Sequence, residues 1–431
     1  MRDGIYYIPS GERSEMKIDL GFGSGVQSVT LPDENILAVL EANPVEYKLT
    51  GTDEVRRALR EPIGAAPLRE TVHAGETVAI VTSDITRPCP TWKMLPPVLE
   101  ELFAAGIRPE NITVTFALGS HRHHTEEEHK KLMGESYGLV ACRDSDGVNC
   151  THLGVTKRGT PVDIDAAVAS ADRRICFGNI EYHYFAGYSG GAKAIMPGVS
   201  TREAIQSNHS RMVEAAACAG KLAGNPVRED IEEAAAICGV DYIVNVVLDA
   251  HKEIVYAVAG DVTKAHRDGC RFLDGLYRKT IPHRADIVLV SQGGAPKDLN
   301  LYQVQKALDN AKHAVRPGGI IVLVGSCREG LGEKVFEQWM LEAEKPDDLI
   351  KRVRENFRLG GHKAAAIAMV LQNAEIDLVS ELEPEFVKQI FLQPYQTAQA
   401  ALDHAFAKLG RDASVIVMPY GGSTLPHAEN E

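Results

Sequence analysis

Two β-branched runs, each ending in a polar turn that opens a helix, constrain this chain more than any other feature. The first, Thr77-Val78-Ala79-Ile80-Val81, passes through Thr82-Ser83-Asp84-Ile85-Thr86-Arg87-Pro88-Cys89-Pro90 into helical spacing from Met94 to Ala105. The second, Asn111-Ile112-Thr113-Val114-Thr115-Phe116-Ala117-Leu118, turns at Gly119-Ser120-His121-Arg122-His123-His124, and Thr125-Glu126-Glu127-Glu128 opens a helix with a capping box. Continuous apolar strands of this kind are buried on both faces of a parallel sheet. Strand, polar turn and helix in repetition are the pattern of a doubly wound, Rossmann-like α/β fold. Ligands in such sheets collect at the carboxyl ends of the strands, which puts Asp84, Arg87 and His121 on one rim.

A chain of 431 residues exceeds one ordinary core. The expected division is an N-terminal α/β domain over 1–280, a second α/β domain over 285–418 with the site in the cleft between them, and a tail over 419–431. Met16 to Leu20 alternates and glycines follow, which predicts a hairpin over 15–31. Helical spacing covers Asp33 to Leu40 and Thr52 to Arg60. An Ala-rich helical pattern from Glu214 to Cys238 is interrupted at Gly224-Asn225-Pro226. Strands are expected over 242–259 and a helix from Ala265 to Leu276. The second domain starts at Ile287-Val288-Leu289-Val290, and its first helix carries Tyr302, Gln303 and Lys306. A further strand covers Gly318 to Val324, and a last one Ser414 to Met418. The tail after Gly422 is expected to be surface or disordered.

The densest chemistry lies between Cys176 and Arg211. Strand-like Arg174 to Gly178 feeds in, and Ser200 or Thr201 caps a helix from Arg202. Between them stand His183, Lys193 and His209, with Gly187-Tyr188-Ser189-Gly190-Gly191 as a small-residue loop. Such glycines let a ligand approach the backbone, which suits a phosphate. Lys193 reads equally as a phosphate counter-charge, a nucleophile or an exposed lysine. The spacing of a Walker loop is absent. His123 and His124 read as a solvated turn. Arg87 can clamp a carboxylate or phosphate, cap a helix or pair with Asp84. Imidazole suits nickel, copper or zinc, yet His209 cannot hold a metal alone, so any metal must bring its own ligands.

A net charge of −13 argues against nucleic acid. No apolar run is long enough for a membrane helix, and no signal pattern is visible. The eight cysteines form no C-x-x-C pair, which reads as reduced thiols in a cytoplasmic protein and excludes a zinc knuckle. Cys89 is the one inside a motif.

Taken together, these motifs closely resemble the nickel-dependent lactate racemase family. The matching pieces are Asp84-Ile85-Thr86-Arg87-Pro88, Gly119-Ser120-His121-Arg122, and His183-Tyr184-Phe185-Ala186-Gly187-Tyr188-Ser189-Gly190-Gly191-Ala192-Lys193. Met196-Pro197-Gly198 and Asn208-His209-Ser210 follow, then Gly293-Gly294, Pro296, Asp298, Asn300-Leu301-Tyr302-Gln303 and Lys306. The resemblance implies a nickel-pincer nucleotide, a pyridinium mononucleotide with two sulfur arms, tethered covalently at Lys193, with His209 as the protein's nickel ligand. It implies that His121 and His183 stand on opposite faces of a 2-hydroxy acid and carry its hydroxyl proton while hydride leaves C2 for the cofactor and returns. Arg87, Tyr302, Gln303 and Lys306 would bind substrate. Asp84, Arg87, Ser189 and Gly190 would meet the cofactor. Cofactor-biosynthesis enzymes are the implied partners.

One departure concerns the substrate. Trp339 does not match the context of the family's tryptophan, and the comparable stretch is Phe357-Arg358-Leu359-Gly360-Gly361-His362-Lys363. Its cationic groups suit a larger or more acidic 2-hydroxy acid than lactate, such as malate or a sugar acid. Two other readings stand beside this one. A dehydrogenase with a dissociable nicotinamide lacks its G-x-G-x-x-G after a strand, and a two-domain binding protein for a small anion would need no tethering lysine.

Overall fold

The computed structural model describes residues 14–119, 121–249 and 251–429. Ser120, the middle of the Gly-Ser-His turn, lies outside the described residues. The chain divides into two compact units, Val45–Gly275 and a discontinuous one that joins Met1–Pro44 to Leu276–Glu431.

A six-stranded sheet forms the middle of the Val45–Gly275 unit. Its order is Ile254–Gly260, Tyr242–Leu248, Arg173–Asn179, Val78–Ser83, Ile112–Ala117 and Ala141–Asp144. Every pairing is parallel except that of the first two strands. Ile80, Val114, Ile175 and Val244 are fully buried in its core, beside Met94, Leu95 and Val98 of the helix Thr91–Ala104. This is why the runs are built of branched apolar residues, with only Thr113 and Thr115 interrupting the second. In register, Ser83 faces Ala117, so the turn that starts at Asp84 and the turn that holds His121 emerge side by side.

Local signals place most helices. Thr125 Oγ1 accepts from Glu128 N and the Glu128 carboxylate accepts from Thr125 N, which completes the capping box of Glu126–Met133. Thr201 caps Arg202–His209. The long helical pattern from Glu214 is shortened, since the helix is Pro226–Cys238. Asn225 Oδ1 accepts from the N–H groups of Val227 and Arg228, and proline at the first position fits a helix start, so Asn-Pro begins this helix where it was expected to interrupt one.

The second unit has its own six-stranded sheet, ordered Gln393–Tyr395, Ala374–Val379, Val315–Val324, Ala285–Ser291, Val415–Met418 and Ile36–Val39, with all pairings parallel. The helix expected from Asp33 is corrected here. Only Asp33–Asn35 turns, and Ile36–Val39 is an edge strand whose β-branched residues pair with Val415–Val417. That pairing groups residues 1–44 with the second unit, where the sequence pattern draws one domain over 1–280. The hairpin Glu15–Phe22 and Gly25–Pro32 contributes Ile18, Leu20, Val29 and Leu31 to the same core. The expected loose tail is corrected as well, because Leu425–Ala428 pairs in parallel with Arg278–Ile281 and buries both its end residues. Among the described residues no helix is long and apolar enough to cross a membrane.

Candidate functional site

Asp84 follows the strand Val78–Ser83 and is 2% exposed. Its Oδ1 accepts from Thr86 N at 3.0 Å and from Thr86 Oγ1 at 2.7 Å, and its Oδ2 takes the hydrogen bond of His121 Nδ1. Burial pushes this carboxyl up, but the hydrogen bonds of His121 and Thr86 and the charge of Arg87 outweigh it, holding the group below the usual carboxylate range. A carboxylate facing Nδ1 fixes the ring with its proton there and leaves Nε2 as the basic nitrogen. Asp84, expected to meet the cofactor, is engaged by a histidine of its own chain.

His124 is not the solvated residue its neighbours suggest. Its side chain is 1% exposed, its Nδ1 lies 2.6 Å from Asp144 Oδ1, and its Nε2 accepts from Ile85 N at 3.0 Å. His129 Nε2 reaches the same carboxylate at 2.9 Å. This network ties the turn after one strand to the turn after the next. The ligand atoms of His124, His129 and Asp144 lie within 4.8 Å of one another, but each is already used in these bonds. His123 stays exposed. Cys89 is buried, and its thiol is pushed up to about 11 by burial, which removes it as a nucleophile.

The second cluster starts where the strand Arg173–Asn179 runs into a two-residue pairing of Tyr182–His183 with Gly187–Tyr188. The tight return places Phe185 inside, 2% exposed. Around its ring stand His183 at 4.5 Å between centroids, His209 at 4.9 Å, and Lys193 Nζ at 5.9 Å. Residues well apart in the chain therefore converge on one aromatic ring. His183 Nδ1 accepts from Ala186 N at 3.3 Å. Burial, then the charges of Lys193, His209, Arg87 and Arg228, hold this imidazole well below its ordinary value, so it is neutral at pH 7.

Lys193 rides on a short turn, Gly191–Ala194, that follows Gly190 with φ of 71°. Asn245 is fully buried on the strand Tyr242–Leu248, and its Oδ1 accepts from Gly191 N at 2.6 Å. A Cβ on Gly190 would lie 2.6 Å from that same oxygen, so the loop tolerates only glycine there. Ser189 Oγ donates to Asn179 O at 2.7 Å and accepts from Glu181 N at 2.9 Å. Ser189 and Gly190 thus stitch the loop itself. Gly119 N donates to Gly198 O at 2.9 Å, which links the His121 turn to the end of this loop.

Beneath the loop lies Arg228, fully buried, donating from Nε to Ala186 O at 3.0 Å and from Nη2 to Tyr188 O. Burial pushes its guanidinium down to about 10, and its Nη1 has no hydrogen-bond partner among the described residues. Burial is also the largest cause holding the Lys193 amine well below its ordinary value, with Arg228 and Arg87 adding repulsion against the weaker pull of Glu181. An amine shifted in that direction loses its proton, and becomes available as a nucleophile, at lower pH than an ordinary lysine. Arg87 itself is exposed. The donor set fits a metal held mainly by a cofactor. Among the described residues, the groups with several metal-binding side chains lie elsewhere, so His209 offers one nitrogen to a metal bound there and the other donors would come from outside the chain.

In the other unit, Asn300 caps the helix Leu301–Ala311, which carries Tyr302, Gln303 and Lys306. Lys363 is 5% exposed, its Nζ donating to Tyr302 O at 2.5 Å and standing 4.0 Å from the Tyr302 ring centre. The cations expected to widen the substrate range therefore include one that holds Tyr302. Trp339 is 2% exposed and packs on Gly361, where a Cβ would come within 2.4 Å of its ring.

Sequence reasoning passed over Phe185 and Asn208 as ordinary motif residues and missed Arg228, Asp230 and Asp144, which carry no local signal of their place.

Together these features define an α/β enzyme with a carboxylate-backed histidine and a second cluster in which histidines and a lysine surround one phenylalanine. The sequence model of the lactate racemase N-terminal domain matches residues 22–220, and that of the lactate racemase C-terminal domain matches residues 281–425. A lactate racemase of Thermoanaerobacterium thermosaccharolyticum is 32% identical over 421 residues, covering 95% of this chain and 98% of the relative. One of Lactiplantibacillus plantarum is 30% identical over 419 residues, covering 94% and 98%. The solved lactate racemase apoprotein of T. thermosaccharolyticum superposes with a TM-score of 0.87 at 31% identity, covering 96% of this chain and all of that one. A Thermotoga maritima protein shares the fold alone, with a TM-score of 0.63 at 17% identity. The chain belongs to the lactate racemase family and is an isomerase.

Proposed function

We propose that this enzyme interconverts the C2 stereoisomers of a 2-hydroxy acid, lactate or a larger relative such as malate or a sugar acid, with a nickel-pincer nucleotide held at Lys193 and His209. The observation that carries this reading is the convergence of His183, His209 and Lys193 on the ring of Phe185. Such a cofactor, when bound, supplies a hydride acceptor that also returns the hydride. The Lys193 amine, held below its ordinary value, suits a covalent bond to it, and Arg228 Nη1, without a hydrogen-bond partner among the described residues, suits its negative charge.

The chain's own work is proton transfer and binding. One imidazole, neutral, removes the hydroxyl proton of the substrate. The other, protonated, gives a proton to the opposite isomer. A turnover leaves the pair with the proton exchanged between them, ready for the reverse reaction. Asp84 orients His121 and balances its charge when the ring holds the extra proton. His183, among cations, releases a proton readily. Arg87 carries a positive charge felt by Asp84, His183 and Lys193, which suits a substrate carboxylate. Tyr302, Gln303 and Lys306 offer the hydroxyl, amide and ammonium groups that a 2-hydroxy carboxylate takes.

The test is a chiral panel of 2-hydroxy acids run with loaded enzyme in heavy water. Racemisation with the C2 hydrogen retained is the expected result. Deuterium at C2 would replace hydride return with proton abstraction, and inertness toward the whole panel would remove the reading.

A further inference from the structure

We infer that Asn208 and Asp230 are positioning residues that hold His209 in the tautomer with hydrogen on Nδ1, so that Nε2 is the nitrogen offered to the metal. The inference rests on the proposed role of His209 as the nickel ligand. Asn208 is fully buried, and its amide nitrogen donates to Asp230 Oδ2 at 2.8 Å and to Val227 O at 3.2 Å. Both amide hydrogens are thereby used. Turning the amide over would set its oxygen against a carboxylate and a carbonyl, three acceptors with no hydrogen among them. Asn208 Oδ1 must therefore face His209 Nδ1, which lies 2.8 Å away. An acceptor there requires a hydrogen on Nδ1, and the lone pair falls to Nε2.

The anchor of this chain is itself fixed. Asp230 is fully buried and accepts from Thr156 Oγ1 at 2.5 Å and Thr160 Oγ1 at 2.6 Å. The two threonines sit around the turn between the strands Cys150–Val155 and Pro161–Asp165, while Asp230 and Val227 lie on the helix Pro226–Cys238. His209 ends a third element, Arg202–His209, and its ring meets the Phe185 ring edge-on at 72°. Carboxylate, amide and imidazole form one polarised line, an arrangement that orients a metal-binding histidine and raises its basicity. A network that merely pinned the helix end would place no demand on which ring nitrogen holds the hydrogen.

The test starts from apoprotein labelled with ¹⁵N-histidine, in which long-range proton–nitrogen correlations distinguish the two tautomers. The His209 signals are assigned by their loss in His209→Gln. The expected pattern is a protonated Nδ1 and a bare Nε2, and the opposite pattern overturns the inference before any further variant is made. Asp230→Asn frees the Asn208 amide to turn over, and the expected result is a shift of His209 toward hydrogen on Nε2. In enzyme loaded with cofactor, Asp230→Asn and Asn208→Leu should release nickel to a chelator roughly 10–100-fold faster than wild type while keeping the mass added at Lys193. Folding of both variants is checked by circular dichroism, and an unfolded variant leaves the decision to the wild-type tautomer. Folded variants with unchanged tautomer and unchanged nickel release overturn the inference. Loaded wild-type protein without nickel would instead remove the proposed function, and the apoprotein tautomer would still be read independently.

Discussion

Replacing Asp84 with asparagine removes the carboxylate that faces His121 Nδ1 and leaves an amide of similar size. The amide can present its nitrogen to the ring and favour the wrong tautomer. We expect kcat to fall by roughly 10²–10⁴-fold with a small change in KM. Steady-state kinetics in both directions check this, and a loss confined to KM would assign Asp84 to binding. The same carboxyl contributes to acid stability. Its folded pKa lies below the unfolded value of about 3.9, so its contribution is complete above that value and is lost as pH falls through the folded pKa. Asp84→Asn should therefore lose less stability on acidification than wild type. His121, His183, Lys193 and His209 could be singled out in the sequence by residue type and motif, and Asp84 and His121, 37 positions apart, could be placed on one rim. The hydrogen bond between those two appears only where the two parallel strands end together. Arg228, 40 positions from Tyr188, gives no local sign of reaching under the loop.

At the scale of elements, the runs ending near Asp84 and His121 were readable because a strand buried on both faces must be continuously apolar. Ile36–Val39 was misread because a short apolar run carries no period that separates strand from helix. Only its pairing with Val415–Val417 decides. The loop that presents Lys193 is the most sensitive element. Gly190→Ala combines a left-handed φ of 71° with a Cβ at 2.6 Å from Asn245 Oδ1. We expect it to cost about 1–3 kcal/mol in denaturant unfolding and to abolish modification at Lys193. Full modification would mean that the loop is looser than its packing implies. The strand Ala374–Val379 offers a second test. Burial first, with the Glu375 charge adding, pushes the Asp377 carboxyl up to about 6 against the pull of His404 and Lys408. The folded chain thus holds this proton at higher pH than the unfolded chain, and the Asp377 contribution to stability falls as pH rises from about 4 to about 6. Asp377→Asn should remove up to about 3 kcal/mol of that decline, as read from unfolding at several pH values. A difference between variant and wild type that does not vary with pH would contradict it.

For the molecule as a whole, the pattern of strands and helices announced an α/β chain too long for one core, but not that the second unit takes its edge strand and hairpin from the N-terminal residues. No local signal says which sheet an early strand will join. The consequence is testable with fragments. The core residues from Val55 to Ala259 lie within one continuous stretch, so residues 45–275 alone should melt cooperatively. Residues 276–431 alone lack Ile18, Leu20, Val29 and Leu31. Each buried side chain of this size is worth about 1.5–3 kcal/mol, so their loss is comparable to the roughly 5–15 kcal/mol that stabilises a domain. That fragment should be unfolded or aggregated, and a soluble, cooperatively melting one would contradict the division.

The central claim is that Lys193 and His209 hold a nickel-bearing cofactor. Intact-protein mass spectrometry with nickel analysis, on enzyme co-expressed with the proteins that build the cofactor, tests it most directly. We expect a mass increment on the Lys193 peptide and about one nickel per chain, with the metal lost in His209→Ala and the increment lost in Lys193→Ala. An unmodified Lys193 in cells that load a known lactate racemase would contradict it.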